Sequence, residues 1–103
     1  MSGTPHVHAD EVPEGEAVAL EVDGHSVVLC RVEGEICALS AICTHEDRSL
    51  AGGEVEDGVV TCPWHGARFD VRTGRVLALP ALRPLETFPV RVDAEGWVHV
   101  NVP

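Results

Sequence analysis

Cys43-Thr44-His45 and Cys62-Pro63-Trp64-His65-Gly66 are two short Cys/His clips, with sixteen residues between His45 and Cys62. Cysteine thiolate and neutral imidazole are both good ligands for iron and for zinc. Two clips on facing loops could therefore hold one metal centre between them. The candidate ligands are Cys43, His45, Cys62 and His65.

The ligand types alone leave two kinds of metal centre open. Two Cys and two His can hold a structural zinc ion, or a [2Fe–2S] cluster with sulfur on one iron and nitrogen on the other. Zinc fingers with these ligands usually pair Cys with Cys and His with His, whereas each clip here carries one of each. The mixed clips favour the cluster, and with it one-electron transfer, over a zinc-stabilised interaction module.

The clips and their neighbours closely resemble the Rieske iron–sulfur proteins. The matching residues are the two clips, Ser49-Leu50 and the run Phe69-Asp70-Val71-Arg72-Thr73-Gly74. The similarity is strongest to the small Rieske-type ferredoxins that serve bacterial aromatic ring-hydroxylating dioxygenases. It is sharp from Cys43 to about Pro84 and weaker in the N-terminal part.

This resemblance implies one Rieske [2Fe–2S] cluster, bound by Cys43, His45, Cys62 and His65. It implies a role in aromatic hydrocarbon catabolism as an electron-transfer component rather than an enzyme. The implied partners are a flavin-dependent ferredoxin reductase, which supplies electrons, and a terminal oxygenase, which receives them in transient encounters. An alternative is the small Rieske-like subunit of a larger reductase such as nitrite reductase. Those subunits often lack cluster ligands, whereas all four are present in this sequence, and this favours the electron carrier.

The residues near the clips also bear on the reduction potential. Ala67 follows Gly66 where high-potential Rieske proteins carry a serine hydroxyl, and the sequence contains no tyrosine. Those proteins also join their clips by a disulfide, at positions that match Arg48 and Trp64 here. Hydrogen-bond donors near the cluster sulfurs stabilise the more negative reduced state. We therefore expect a centre in the low-potential branch of the family.

Short segments rich in β-branched residues alternate with Gly turns, and this predicts a mostly antiparallel, all-β protein. Turns are indicated at Asp23-Gly24, Glu33-Gly34 and Asp57-Gly58, among others. The predicted strands are 17–23, 25–31, 36–41, 59–62, 68–71, 75–77, 88–93 and 97–102.

The family resemblance implies a Rieske-like fold, an antiparallel β base with an inserted cluster-binding subdomain that carries two ligand loops. On this basis residues 1–103 are a single Rieske domain. Residues 1–40 and 80–103 form the base, and about 41–79 form the subdomain. Leu79-Pro80-Ala81 resembles the third loop that covers the cluster in this family.

The two remaining cysteines, Cys30 and Cys37, fall in predicted strands on either side of the Glu33-Gly34 turn. Neither has a His beside it, so neither is expected to bind the cluster. A free cysteine is usually a small buried hydrophobe, and nothing in the sequence indicates secretion. Both are therefore predicted to be reduced packing residues.

A chain of 103 residues makes one domain with a small core, which weighs against an enzyme with its own catalytic cleft. Ring-hydroxylating oxygenases add a mononuclear iron domain, for which this sequence has no room. No apolar run is long enough to cross a bilayer, and residues 1–12 lack the character of a secretory signal. We expect a monomeric cytoplasmic protein that does not bind membranes.

Seventeen acidic residues against seven Lys and Arg give a formal net charge of −10, which argues against nucleic-acid binding. Between Cys43 and Gly66 there are five acidic residues and one Arg, and five minus one leaves a charge of −4. Such a face would steer encounters with a basic surface on a protein partner. A solvated acidic surface that serves only solubility is the alternative.

Overall fold

The computed structural model describes residues 7–42, 49–63, 66–78 and 84–102. Over these ranges the chain consists of strands and turns, with one short 3-10 helix at Ala9–Glu11. The predicted all-β class is confirmed. No helix in these ranges has the length and apolar character needed to cross a membrane. The strands are β1 Val18–Val22, β2 His25–Val32, β3 Glu35–Ser40, β4 Glu54–Glu56, β5 Val59–Thr61, β6 Arg68–Asp70, β7 Val76–Ala78, β8 Thr87–Phe88, β9 Val90–Val92 and β10 Val98–Val100.

One sheet, which we call the central sheet, runs in the order β1-β2-β3-β8, and its neighbouring strands are antiparallel. Tight turns at Asp23-Gly24 and Glu33-Gly34 join its first three strands. Both residues of each turn have positive φ, 46° and 83° in the first turn and 50° and 81° in the second. This is type I′ geometry, whose twist matches that of the flanking strands. The two hairpins predicted here are confirmed.

A second sheet, which we call the loop sheet, runs in the order β4-β5-β6-β7 and is also antiparallel. The Asp57-Gly58 turn joins β4 to β5, and both of its residues again have positive φ. The register between β6 and β7 shifts at Arg68 and Phe69, which marks an irregularity in the ladder. The segment that carries the second clip connects β5 to β6.

β9 and β10 form a separate two-stranded hairpin, whose turn is organised by Asp93. One carboxylate oxygen accepts hydrogen bonds from the backbone amides of Glu95 at 3.0 Å and Trp97 at 2.9 Å. The other lies 2.9 Å from Nε2 of His99. The hydrogen bond with His99, followed by that from the Trp97 amide, lowers the pKa of the Asp93 carboxyl. Asp93 therefore holds this turn as an ionised acceptor.

The two faces of the central sheet are buried against different partners. Alternate residues of a strand point to opposite faces, and in β2 these face two separate hydrophobic clusters. The first cluster packs Val28, Cys30, Val32 and Leu39 with residues of the loop sheet such as Val55, Val60 and Phe69. The second packs Val27, Leu29, Ala38 and Phe88 with Val98 and Val100 of the β9–β10 hairpin. The central sheet is thus the middle layer of three.

The observed strands depart from the predicted ones at two places. β4 is absent from the predicted set, because Glu54-Val55-Glu56 is too short and polar to stand out as a strand. The single strand predicted over 88–93 is wrong, since the chain forms β8 and β9 with Pro89 between them. β8 pairs with β3, whereas β9 pairs with β10. Proline has no N–H to give to a ladder, so Pro89 marks the crossing between two sheets.

Backbone hydrogen bonds of Gly74 link the end of β6 to the segment that precedes β8. Its amide donates to the carbonyl of Asp70 at 2.7 Å, and its own carbonyl accepts from the amide of Leu85 at 2.8 Å. Its φ is +77°, and a Cβ at this position would overlap the carbonyl oxygen of Leu85. The contact therefore requires glycine for both conformation and space.

Replacing Gly74 with alanine should destabilise the fold by more than a positive φ alone explains. Gly24→Ala is the matched control, because Gly24 has a φ of +83° but no atom within 4 Å of an added Cβ. The left-handed conformation costs a non-glycine residue about 1–2 kcal/mol, and the overlap should bring Gly74→Ala to about 3 kcal/mol or more. Urea unfolding followed by circular dichroism measures both losses. Equal losses would contradict the close contact with Leu85.

Candidate metal centre

The first clip lies in the connection between β3 and β4, and the structure describes both ends of that loop. Ile42 forms an isolated antiparallel bridge with Ser49. The amide of Leu50 donates to the carbonyl of Ala41 at 2.7 Å. These contacts bring together the residues on either side of positions 43–48. The two described ends of this loop therefore meet beside the end of β3.

The second clip begins at Cys62, immediately after β5. The amide of Cys62 donates to the carbonyl of Ala67 at 2.7 Å, and the amide of Gly66 donates to the carbonyl of Cys62 at 3.1 Å. Gly66 has a φ of +76°, which glycine adopts without steric cost. These bonds close the end of the β5–β6 hairpin and place Cys62 at its base.

The ends of the two loops share one hydrophobic cluster. Ala41 and Leu50 from the first loop, together with Cys62 and Ala67 from the second, belong to the cluster between the central sheet and the loop sheet. Leu50 and Ala67 have no exposed surface. Apolar packing thus holds the ends of the two loops side by side, although sixteen residues separate the two clips in sequence.

Backbone segments from the two loops approach closely at Gly53. A Cβ on Gly53 would lie 2.6 Å from the carbonyl oxygen of Thr61 and 2.9 Å from that of Leu50. The amide of Gly53 donates to Leu50, and its carbonyl accepts from the amide of Ala17, both at 2.9 Å. Sequence reasoning missed this residue, for which the Gly52-Gly53 pair was the available signal. The absence of a side chain lets the segment before Cys62 pack against the first loop.

Of the four predicted ligands, the structure describes Cys62, which is buried with 2% of its surface exposed and forms no disulfide. Cys43, His45 and His65 lie outside the described residues, as does the predicted covering loop Leu79-Pro80-Ala81. Among the residues that are described, no group of three or more His, Cys, Asp or Glu side chains could hold a metal ion. The placement of the two loops supports the ligand set, which stays a prediction.

The donor chemistry of the predicted set suits a [2Fe–2S] cluster. Two thiolates and two imidazoles, one of each from each loop, match the mixed ligation in which sulfur binds one iron and nitrogen the other. Cys62 forms no disulfide, so its sulfur is available to a metal. Ala67, fully buried at the foot of the second loop, presents a methyl group and no hydroxyl.

Comparison with known proteins gives consistent matches. The Rieske [2Fe-2S] domain family matches residues 3–89. The ferredoxin component of the naphthalene 1,2-dioxygenase/salicylate 5-hydroxylase systems of Ralstonia sp is 39% identical over 84 residues, which are 82% of this chain and 81% of that protein. The biphenyl dioxygenase ferredoxin subunit of Pseudomonas sp. (strain KKS102) is 39% identical over 94 residues, 90% of this chain and 86% of that one. The solved ferredoxin of carbazole 1,9a-dioxygenase from Nocardioides aromaticivorans IC177 superposes with a TM-score of 0.87 at 32% identity over 94% of each chain.

The chain belongs to the Rieske [2Fe-2S] family. Within that family it is a ferredoxin, which carries one [2Fe–2S] cluster and transfers electrons rather than catalysing a reaction. The resemblance predicted from the two clips is therefore confirmed, and so is the choice of the iron–sulfur cluster over zinc.

Gly53→Ala should reduce the amount of cluster that the protein retains. The added Cβ would push on the carbonyls of Thr61 and Leu50 and so displace the segments on which the two loops stand. Gly52→Ala is the control, because Gly52 has a strained φ of +81° but open space around an added Cβ. We expect iron per chain and visible absorbance to fall several-fold in Gly53→Ala and little in Gly52→Ala. The reason is that backbone atoms, unlike the end of a flexible side chain, cannot move away without shifting the chain. Full iron content in Gly53→Ala would contradict this account of the loop bases.

Proposed function

We propose that this ferredoxin passes single electrons from a flavin-dependent reductase to the terminal oxygenase of an aromatic ring-hydroxylating dioxygenase system. The observation that carries the proposal is a solved complex of reduced oxygenase and oxidised ferredoxin in carbazole 1,9a-dioxygenase. The matching chain of that complex superposes with a TM-score of 0.85 at 31% identity, over 95% of this chain and 100% of that one. Ferredoxin components of naphthalene, biphenyl and p-cumate dioxygenase systems, each 39% identical, support the same assignment.

The proposed ligands are Cys43 and Cys62 for one iron, and His45 and His65 for the other. When bound, the cluster supplies a centre that accepts and releases one electron at a time. The buried ends of the two loops support this assignment, because they pack in one hydrophobic cluster. The same reasoning supports a division into a β base, 1–40 and 80–103, and a cluster subdomain at about 41–79.

The ligand types and the residues near them indicate whether the reduction potential of the cluster is raised or lowered. Neutral imidazoles of His45 and His65 in place of two thiolates remove two negative charges beside the metal, which favours the added electron. Ala67 contributes no hydroxyl hydrogen bond. The reduction potential of the proposed centre should thus be higher than that of all-thiolate ferredoxins, but among the lower ones of the Rieske family.

The acidic residues near the second clip are divided between the two ends of the loop sheet. Glu54 pairs with Thr61, which precedes Cys62, and lies at the end where the electron would enter and leave. Glu56 pairs with Val59 at the opposite end, beside the Asp57-Gly58 turn. Two residue steps along the strands separate these ends by roughly 7 Å. Of the two glutamates, Glu54 is therefore the one placed to steer a partner towards the cluster.

A permanent subunit of a nitrite reductase is less well supported. The putative NADH-dependent nitrite reductase small subunit from Mycobacterium tuberculosis superposes with a TM-score of 0.85, but at 24% identity this is a likeness of fold. The terminal oxygenase of carbazole 1,9a-dioxygenase from Novosphingobium sp. KA1 also matches 96% of this chain. This chain covers 29% of that oxygenase, so the match concerns one part of a larger protein. We propose instead a monomeric carrier, acting in the cytoplasm, that meets each partner in turn.

The ligand assignment predicts which cysteines the cluster requires. Cys43→Ser and Cys62→Ser should each lose the cluster, because an alcohol is a far poorer ligand for iron than a thiolate. Cys30→Ser is the control, since Cys30 is a buried cysteine in a strand and not part of a clip. Electron paramagnetic resonance of the dithionite-reduced proteins should give the mixed-ligand signal in wild type and Cys30→Ser alone. A wild-type signal of the all-thiolate kind would refute the His45 and His65 assignment.

The docking proposal predicts that two similar substitutions on β4 differ in effect. Both Glu54 and Glu56 are exposed and alternate with the buried Val55, so they share one face of the strand. At low salt, Glu54→Gln should slow electron transfer to the terminal oxygenase of a naphthalene dioxygenase system a few-fold, and Glu56→Gln should change it little. Stopped-flow absorbance at low and high salt measures both rates. A larger effect of Glu56→Gln would place the docking face at the other end of the loop sheet.

A further inference from the structure

We propose that Cys30 and Cys37 form a thiol–disulfide site, separate from the metal centre, that reacts with small-molecule disulfides such as glutathione disulfide. The two residues are direct register partners across β2 and β3. Both thiols are free, Cys30 buried and Cys37 half-buried. The sequence predicted two reduced packing residues and no reaction between them.

The register of the ladder sets the distance between the two cysteines. The amide of Ala41 donates to the carbonyl of Ser26 at 2.9 Å, so these two residues are a hydrogen-bonded pair. Such pairs recur at every second position of an antiparallel ladder, which makes Cys30 and Cys37 a hydrogen-bonded pair too. Cα atoms in these pairs are about 5.5 Å apart, and disulfides most often span about 5.5–6 Å. Register partners also point to the same face of the sheet, so the two thiols lie side by side.

Cys37 is the thiol that a reagent in solution can reach. It lines an open surface groove of about 450 Å³, together with Arg72, Phe88 and Pro89. Cys30 has no exposed surface and packs in the cluster between the central sheet and the loop sheet. A small disulfide therefore meets Cys37 first, and Cys30 lies behind it as the second thiol.

The reaction consists of two thiol–disulfide exchange steps. The Cys37 thiolate attacks one sulfur of glutathione disulfide, so that a Cys37–glutathione bond forms, the S–S bond of the reagent breaks and one glutathione thiolate leaves. The Cys30 thiolate then attacks the Cys37 sulfur, which forms the Cys30–Cys37 disulfide and releases the second glutathione thiolate. The two cysteines lose two electrons and two protons, and glutathione disulfide gains them to become two glutathione molecules.

The surroundings of the pair make both thiols slow to react at neutral pH. Burial raises the pKa of Cys30 to about 12, and the neighbouring Cys37 adds to this effect. Burial also raises the pKa of Cys37, while the Arg72 guanidinium opposes it and the carboxylates of Glu35 and Asp70 reinforce it. Arg72 also donates to Glu35 at 3.1 Å. Because the thiolate is the nucleophile, Arg72 favours the reaction and a higher pH accelerates it.

The pair lies at the far end of the β2–β3 hairpin from the first clip. Two residues separate each cysteine from the Glu33-Gly34 turn, whereas the first clip follows Ala41 at the other end of β3. Four residue steps lead from Cys37 to Ala41, which is a distance of roughly 13 Å along the strand. The proposed reaction can therefore proceed with the cluster in place.

The test exposes the cluster-loaded protein to glutathione disulfide without oxygen, followed by acid quenching, alkylation and trypsin. Trypsin cuts after Arg31, so a Cys30–Cys37 bond links the peptide that ends there to the one that begins at Val32. Fragmentation of the linked peptides distinguishes Cys37 from Cys43, which lies on the same peptide. We expect this link in wild type. The initial rate should rise about tenfold per pH unit from about pH 7 to 8, as the thiolate fraction does, and fall several-fold in Arg72→Gln.

Two variants separate the two steps. Cys30→Ser should stop at a glutathione adduct on Cys37, and Cys37→Ser should give neither the adduct nor the link. Cys37→Ser is the decisive variant, because Cys37 is half-buried and unchanged visible absorbance verifies its fold and cluster. A disulfide between Cys30 and another cysteine that forms as fast in Cys37→Ser, or a Cys37 that reacts in wild type only after urea unfolding, would overturn the proposal. Loss of visible absorbance in step with formation of the link would overturn the separation of this site from the metal centre.

Discussion

The buried contact between the central sheet and the loop sheet is the constraint on which the metal centre depends. Ala41 and Leu50 at the foot of one loop pack in the same cluster as Cys62 and Ala67 at the foot of the other. Neither loop is long enough to build a core of its own, so the position of each clip follows from the packing beneath it. Phe69, fully buried at the middle of β6, supplies a large part of that packing. Cavities under such a site cost a few kcal/mol each, which a domain of this size can ill tolerate.

Close backbone contacts complete what the apolar packing begins. Gly53 allows the segment before Cys62 to lie against Leu50, and Gly74 allows the end of β6 to meet Leu85. At both positions a side chain would occupy space already filled by a carbonyl oxygen. The loop sheet is therefore held at the side of the metal centre and at the opposite side, where the chain returns towards β8. A rigid base of this kind suits electron transfer, because fixed ligands need little rearrangement when the charge of a centre changes.

Position in the sheets distinguishes Cys62 from Cys30 and Cys37. Cys62 follows the last residue of β5 and can extend into a loop, where a metal is held between two chain segments. Cys30 and Cys37 lie within paired strands, where the register places their side chains side by side on one face of the sheet. Cys30 and Cys62 share a hydrophobic cluster, yet one lies within a strand and the other follows the end of one, so the partners proposed for their sulfurs differ. The two acidic residues of β4 also differ in position. Glu54 and Glu56 lie on the same face of this short strand but at its opposite ends.

The sequence by itself determined the β class, the turns at Asp23-Gly24 and Glu33-Gly34, and the two clips that define the family. These are short-range signals: a positive φ favours glycine locally, and the ligand chemistry of a clip is contained in three or four consecutive residues. Only the tertiary structure decided that Pro89 divides one predicted strand between two sheets and that Gly53 must be bare. It also decided that the ends of the two ligand loops pack in one hydrophobic cluster. Each of these depends on which distant segment packs alongside, and a linear pattern of residues does not contain that information.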